Sequence, residues 1–252
     1  MFFVVRKKSL VLGISAILII CLLAVVIAND NVISAFSSQK ELPIYEVETD
    51  KNAVALSFDA AWGADKTREI MNVLEKHNVK GNFFLVGFWI DEYPDLVKEI
   101  ADRGHLIGNH SENHKHMNKL SKSEINREIV SVNEKVKNLT GITPKYFRAP
   151  YGEYNNALIK EVTSLNMQAI QWNVDSLDWK GLSGGEIATR VVNNAKNGSI
   201  ILCHNNSDHI LEALPLILTA LENKNLKAVR LDELVYQENY TIDHTGKQIK
   251  SI

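Results

Sequence analysis

Groups able to do acid–base and metal chemistry recur along this chain, each just after a short apolar run. Asp59 follows Val54 to Phe58, and His110 follows Leu106-Ile107-Gly108-Asn109. Arg148 follows Tyr146-Phe147, Asp175 and Asp178 follow the segment that ends at Val174, and His204 follows Ile200 to Cys203. These five segments aim two histidines, three carboxylates and an arginine at one face. A carboxylate can take a proton, and an imidazole beside a carboxylate can give one. Two imidazoles can share a metal ion, which lowers the pKa of bound water. His110 and His114 have that spacing. If a helical turn begins there, residues four apart share a face and both rings reach one ion. Each residue alone also admits a plainer reading. Asp59 serves as a helix cap, Arg148 as a structural ion-pair partner, Asp178 and His204 as an ordinary pair, and Trp179 as core. His105, His116 and His209 are read as surface histidines.

The elements that must position these groups repeat as strand then helix. Helical spacing runs from Lys66 to His77, Asp95 to Arg103, Ser121 onward, Asn156 to Ser164, Glu186 to Ala195 and Leu211 to Asn223. Ser121 with Glu124 fits a capping box, and Pro215 falls inside the last helix. Strand-like runs lie between them, at Gly81 to Val86, His105 to Gly108, Tyr146 to Arg148, Met167 to Asn173, Ser199 to Cys203 and Leu226 to Val229. Seven such steps predict an α/β fold: a parallel sheet with helices outside, closed or nearly closed as a barrel, or open and doubly wound. In α/β barrels chemistry sits at the C-terminal ends of the strands, which is where these polar residues fall.

The net charge of the 252-residue chain is -2, and no basic tract is interleaved with aromatics, so nucleic acid is not an expected partner. No glycine-rich phosphate loop follows the first strand, so neither is a nucleotide. Cys21 and Cys203 both lie in apolar runs and predict no disulfide. Arg6, Lys7 and Lys8 precede an uncharged run from Leu10 to Ala28, about nineteen residues and long enough to span a bilayer. The basic flank predicts that residues 1–28 form a cytoplasmic N-terminus and a single-pass transmembrane anchor, with the remainder outside a cell membrane. A cleaved signal peptide, releasing a secreted body, is the other reading. Residues 29–50 read as a stalk, 51–236 as the catalytic domain and 237–252 as a polar tail.

Five segments in order resemble the motifs of the polysaccharide deacetylase family, the NodB-homology or family-four carbohydrate esterases. They are Ser57-Phe58-Asp59-Ala60-Ala61, His110-Ser111-Glu112-Asn113-His114, Arg148-Ala149-Pro150-Tyr151-Gly152, Asp175-Ser176-Leu177-Asp178-Trp179 and Leu202-Cys203-His204. The likeness spans Val54 to Leu234 and implies a distorted (β/α) barrel of about seven strands. It also implies roles: Asp59 as base, His204 as acid with Asp178 as its charge partner, and Arg148 as the group that orients the base. His110 and His114 match ligands of a divalent ion, often zinc. The Tyr151 backbone N–H matches an oxyanion donor, and Trp179 with Leu202 the walls of an acetyl pocket.

The first motif departs from the family at one position. Where the family has a second, metal-binding aspartate, this chain has Ala60, as in a similar sporulation-linked subgroup. Asp59 or a loop carboxylate such as Asp65 would have to take its place. The resemblance implies a hydrolase acting on carbon–nitrogen bonds, removing N-acetyl groups from a cell-wall polysaccharide such as peptidoglycan or a chitin-like chain. Ala60 leaves two alternatives open: a non-catalytic glycan-binding or scaffolding protein, and an O-acetyl esterase using the same groups.

Overall fold

The computed structural model describes residues 17–21 and 40–251. Residues 17–21 of the apolar run are helical. The rest of the expected span, and the stalk up to residue 39, lie outside the described residues. Among the described residues no helix is long and apolar enough to cross a membrane.

The strands are β1 (Glu46–Val47), β2 (Ala53–Ala60), β3 (Asn82–Leu85), β4 (Leu106–Asn109), β5 (Tyr146–Phe147), β6 (Gln168–Ala169), β7 (Val174–Asp175), β8 (Ile200–His204), β9 (Lys227–Val229), β10 (Tyr240–Ile242) and β11 (Lys247–Lys250). Seven of them form a parallel sheet in the order β6-β5-β4-β3-β2-β8-β7, with β9 beside the start of β2. The end strands β6 and β7 leave two edges, so the expected barrel is an open half-barrel. Helices Thr67–Lys76, Pro94–Asp102, Lys122–Thr140, Asn156–Ser164, Gly184–Asn194 and Ile210–Asn223 supply the crossovers. Ser121 and Glu124 form the expected capping box, and Ser183 with Glu186 form a second one. A short helix, Gly87–Glu92, was not legible in the sequence.

Strand β2 is buried along its whole length, and its alternation decides the site. Val54, Leu56, Phe58 and Ala60 face the apolar cluster under the helices. Ala55 packs in a second cluster on the opposite face, which Ser57 and Asp59 share by the same alternation. The strand does not give way to a loop at Asp59; it continues through Ala60. Ala60 therefore points into the core, fully buried, and lends nothing to the site.

Two expected boundaries need correction. Residues 237–252, read as a tail, contain β10 and β11, an antiparallel pair that joins β1 in a separate three-stranded sheet. Residues 40–50, read as the end of a stalk, contain β1 and the buried side chains of Ile44 and Val47. Polar composition concealed the pairing because only one residue of β11, Gln248, is buried. Its amide closes the contact by donating to the Tyr236 carbonyl at 2.8 Å and accepting from the Tyr236 N–H at 2.9 Å.

Candidate active site

The C-terminal ends of the strands surround a cavity of about 720 Å³. Of the residues singled out in the sequence, Asp59, His110, His114, Tyr151, Asp178, Trp179, Leu202 and His204 line it. Arg148 stands behind Asp59, fully buried, and donates from Nη1 to Asp59 Oδ1 at 2.7 Å and from Nη2 to the Gln171 carbonyl at 3.2 Å. Its guanidinium lies 4.1 Å from the centre of the Phe84 ring. Gly108 makes this possible. A Cβ there would come within 2.5 Å of the Phe84 ring, so only glycine on β4 lets that ring lie beneath the arginine.

Asp59 is almost wholly desolvated, which by itself raises its pKa. The Arg148 charge, then those of His110 and His204, and the Arg148 hydrogen bond outweigh burial and hold the carboxyl below its ordinary value. The other oxygen, Oδ2, lies 3.5 Å from His110 Nε2. Across the β2–β8 pair, Asp59 and His204 are in register, so adjacent backbones set their spacing. His204 Nδ1 is 2.7 Å from Asp178 Oδ1, and the His204 N–H donates to Asp178 Oδ2 at 2.8 Å. Burial pulls the His204 pKa down. The hydrogen bond and charge of Asp178, then the charges of Asp59 and Asp175, overcome it, and the pKa stands above 6.5. Asp178→Asn removes the largest of these opposing effects and leaves burial in place. The expected result is a fall in the His204 pKa, read by NMR titration of its ring. An unmoved titration would show that the pair does not interact.

His110 and His114 meet, but not on a helix. The chain bends from His110 to His114, with left-handed φ at Ser111 (68°) and His114 (51°). Ser111 Oγ accepts from the His114 N–H at 3.0 Å, and Glu128 accepts from the Asn113 N–H at 2.7 Å. The ring centroids lie 5.0 Å apart. Nδ1 of His110 is 2.8 Å from the Arg148 carbonyl, so it must carry the proton, which leaves the Nε2 lone pair facing Asp59. Burial lowers the pKa of both rings, that of His114 to about 4, so both are neutral donors near neutral pH. These two donors are of the right kind for zinc. A third is missing: Ala60 faces the core, Asp65 is exposed and does not line the cavity, and Asp59 is held by Arg148. Among the described residues no group of three or more His, Cys, Asp or Glu is gathered as a metal site. The residues present do not make a three-ligand centre.

Tyr151 and Leu177 also take left-handed φ (60° and 53°), so two residues lining this cavity, His114 and Tyr151, carry backbone strain. Sequence reasoning missed several lining residues, among them Trp62, Trp172 and the run Asn205-Asn206-Ser207-Asp208. The signal for that run was its polarity directly after a buried strand. His116, read as a surface residue, is exposed and stacks on Tyr151 at 4.4 Å, whereas His105, read the same way, is buried and accepts from the Gly81 N–H at 3.0 Å.

A parallel half-barrel thus carries a carboxylate–arginine pair and an imidazole–carboxylate pair across one cavity. The polysaccharide deacetylase family profile matches residues 46–170. The chain is 37% identical over 189 residues to a peptidoglycan-N-acetylglucosamine deacetylase of Bacillus cereus, covering 73% of this chain and 69% of that one. It is 35% identical to the uncharacterized protein YlxY of Bacillus subtilis, covering 77% of this chain and 60% of that protein's length. Among solved structures, a wild-type CE4 family pseudoenzyme from Bacillus anthracis superposes with a TM-score of 0.75 at 32% identity, covering 77% of this chain and 69% of that one. The chain belongs to the polysaccharide deacetylase family.

Proposed function

We propose that this domain removes N-acetyl groups from peptidoglycan, with Asp59 as base and His204 as acid. The observation that supports it most is the register of β2 and β8, which sets an ionised carboxylate beside an imidazole whose pKa Asp178 raises. Asp59 takes a proton from water as the water attacks the acetamide carbonyl carbon. His204 gives its proton to the departing amine, leaving acetate and a free amino group on the sugar. The Tyr151 backbone N–H is assigned to the developing oxyanion, and Leu202 with Trp179 to the acetyl methyl. His110 and His114 would supply two of the donors that a divalent ion needs. Acetate release from N-acetylated peptidoglycan by the full chain tests the reading.

A second reading is favoured by Ala60 and by the missing third donor: a glycan-binding protein without catalysis. Its signature is binding of acetylated glycan with no acetate release.

The domain is assigned to the outer side of the cell membrane, on the strength of Arg6, Lys7 and Lys8 before the apolar run. Protease added to intact spheroplasts should digest it. A body protected until the membrane is broken would refute that placement.

A further inference from the structure

Tyr151 carries the backbone N–H assigned to the oxyanion, and it does so in a conformation that few tyrosines adopt. Its φ is 60° and its ψ 4°, and Gly152 follows at φ 69°. A non-glycine residue stays left-handed only where its surroundings hold it there. The core does not hold this one, because Tyr151 is 56% exposed. A neighbouring loop holds its ring instead. His116 lies flat on that ring, with centroids 4.4 Å apart and planes 18° from parallel, and His114 meets it edge-on at 4.7 Å.

The loop that bears His116 is itself anchored. Met117, the next residue, is fully buried in a cluster with Phe147, Ala149 and Leu158. The Lys119 N–H donates to the His116 carbonyl at 3.0 Å. Two polar contacts then tie this loop to the Tyr151 turn. His116 Nδ1 lies 2.8 Å from Glu153 Oε2, and the Asn155 amide donates to the Asn118 carbonyl at 3.0 Å. An exposed ion pair adds little by itself. Here Glu153 fixes the plane of the imidazole, and the flat stack on Tyr151 carries the larger part of the hold.

We infer that His116 and Glu153 are positioning residues that hold the Tyr151 turn left-handed and so set the direction of its backbone N–H. Neither residue lines the cavity, so both act through Tyr151. Their value to the reaction rests on the deacetylase reading and the oxyanion assignment; the hold on the turn does not. An oxyanion donor is engaged fully only in the transition state. Misdirecting it therefore lowers kcat and leaves KM nearly unchanged.

The test pairs the kinetics of acetate release from tetra-N-acetylchitotetraose with NMR of the full chain carrying isotope-labelled tyrosine. The Cα shift and HN–Hα coupling of Tyr151 follow its φ. His116→Ala is expected to lower kcat about tenfold, roughly 1.4 kcal/mol, with little change in KM. It should also move the Tyr151 signals away from their left-handed values. His116→Phe keeps a flat ring without the ion pair, so it should recover most of kcat and of the shift. Glu153→Gln should lose a smaller part of both. Tyr151 signals identical in wild type and His116→Ala overturn the proposal, as does a kcat that His116→Phe fails to recover. If wild type releases no acetate but His116→Ala moves the Tyr151 signals, the deacetylase reading falls and the hold on the turn stands. Acetate release that His116→Ala leaves unchanged keeps the deacetylase and removes the positioning role.

Discussion

Arg148→Met is expected to lower the midpoint of thermal unfolding by about 10 °C at neutral pH. Arg148 is fully buried and Asp59 nearly so, and the pair is joined at 2.7 Å. Removing one member of a buried pair strands the other, at a cost of about 3–5 kcal/mol. A domain of this size loses about 2–4 °C per kcal/mol. The pH dependence gives the sign. In the wild type the Asp59 pKa is depressed, so its contribution is present above the unfolded carboxylate value and is lost as pH falls through the folded one. In the variant, burial loses its strongest opponent and the Asp59 pKa climbs. Acid then neutralises a stranded carboxylate, so the deficit against wild type should shrink as pH is lowered. Melting curves at several pH values check both parts. A midpoint unchanged at neutral pH would mean that the guanidinium contributes nothing to stability.

Asp59→Asn is expected to lower the rate of acetate release by about 100- to 10,000-fold, the usual worth of a positioned base. The amide keeps the shape and can still accept from Arg148, but it cannot take a proton from water. It also leaves the arginine buried without its counter-charge, so circular dichroism at the assay temperature must show a folded chain. Binding of acetylated glycan should persist, because the amide keeps the shape of the carboxylate. On the proposed mechanism Asp59 must be ionised and His204 protonated, so activity should decline on the alkaline side, above the ordinary histidine value. Full acetate release by Asp59→Asn would remove this carboxylate from the chemistry.

Much of the site was legible because its residues end buried strands. A run such as Ile200–His204 is apolar until the chain leaves the sheet, and the first polar side chain marks the mouth of the fold. The parallel sheet followed from the same alternation of strand and helix. Other features were hidden for physical reasons. The bend between His110 and His114 depends on left-handed backbone at Ser111 and His114, which no spacing rule reveals. The orientation of Ala60 depended on whether the strand stopped at Asp59, and strand ends are set by pairing partners, here Leu85 on β3. The hairpin of β10 and β11 is polar and short, and it is held by backbone pairing with β1 and one buried amide. Trp62 gave no signal, since exposure is a property of the folded loop.

The alignment of Asp59 with His204 has a thermal consequence. Neighbouring strands lie about 4.8 Å apart wherever a sheet exists, so the backbone spacing of these two residues is a property of the sheet and not of any loop. Loops held by a few hydrogen bonds open at lower temperature than a central strand. Warming should therefore loosen the loops around the cavity before it changes this spacing.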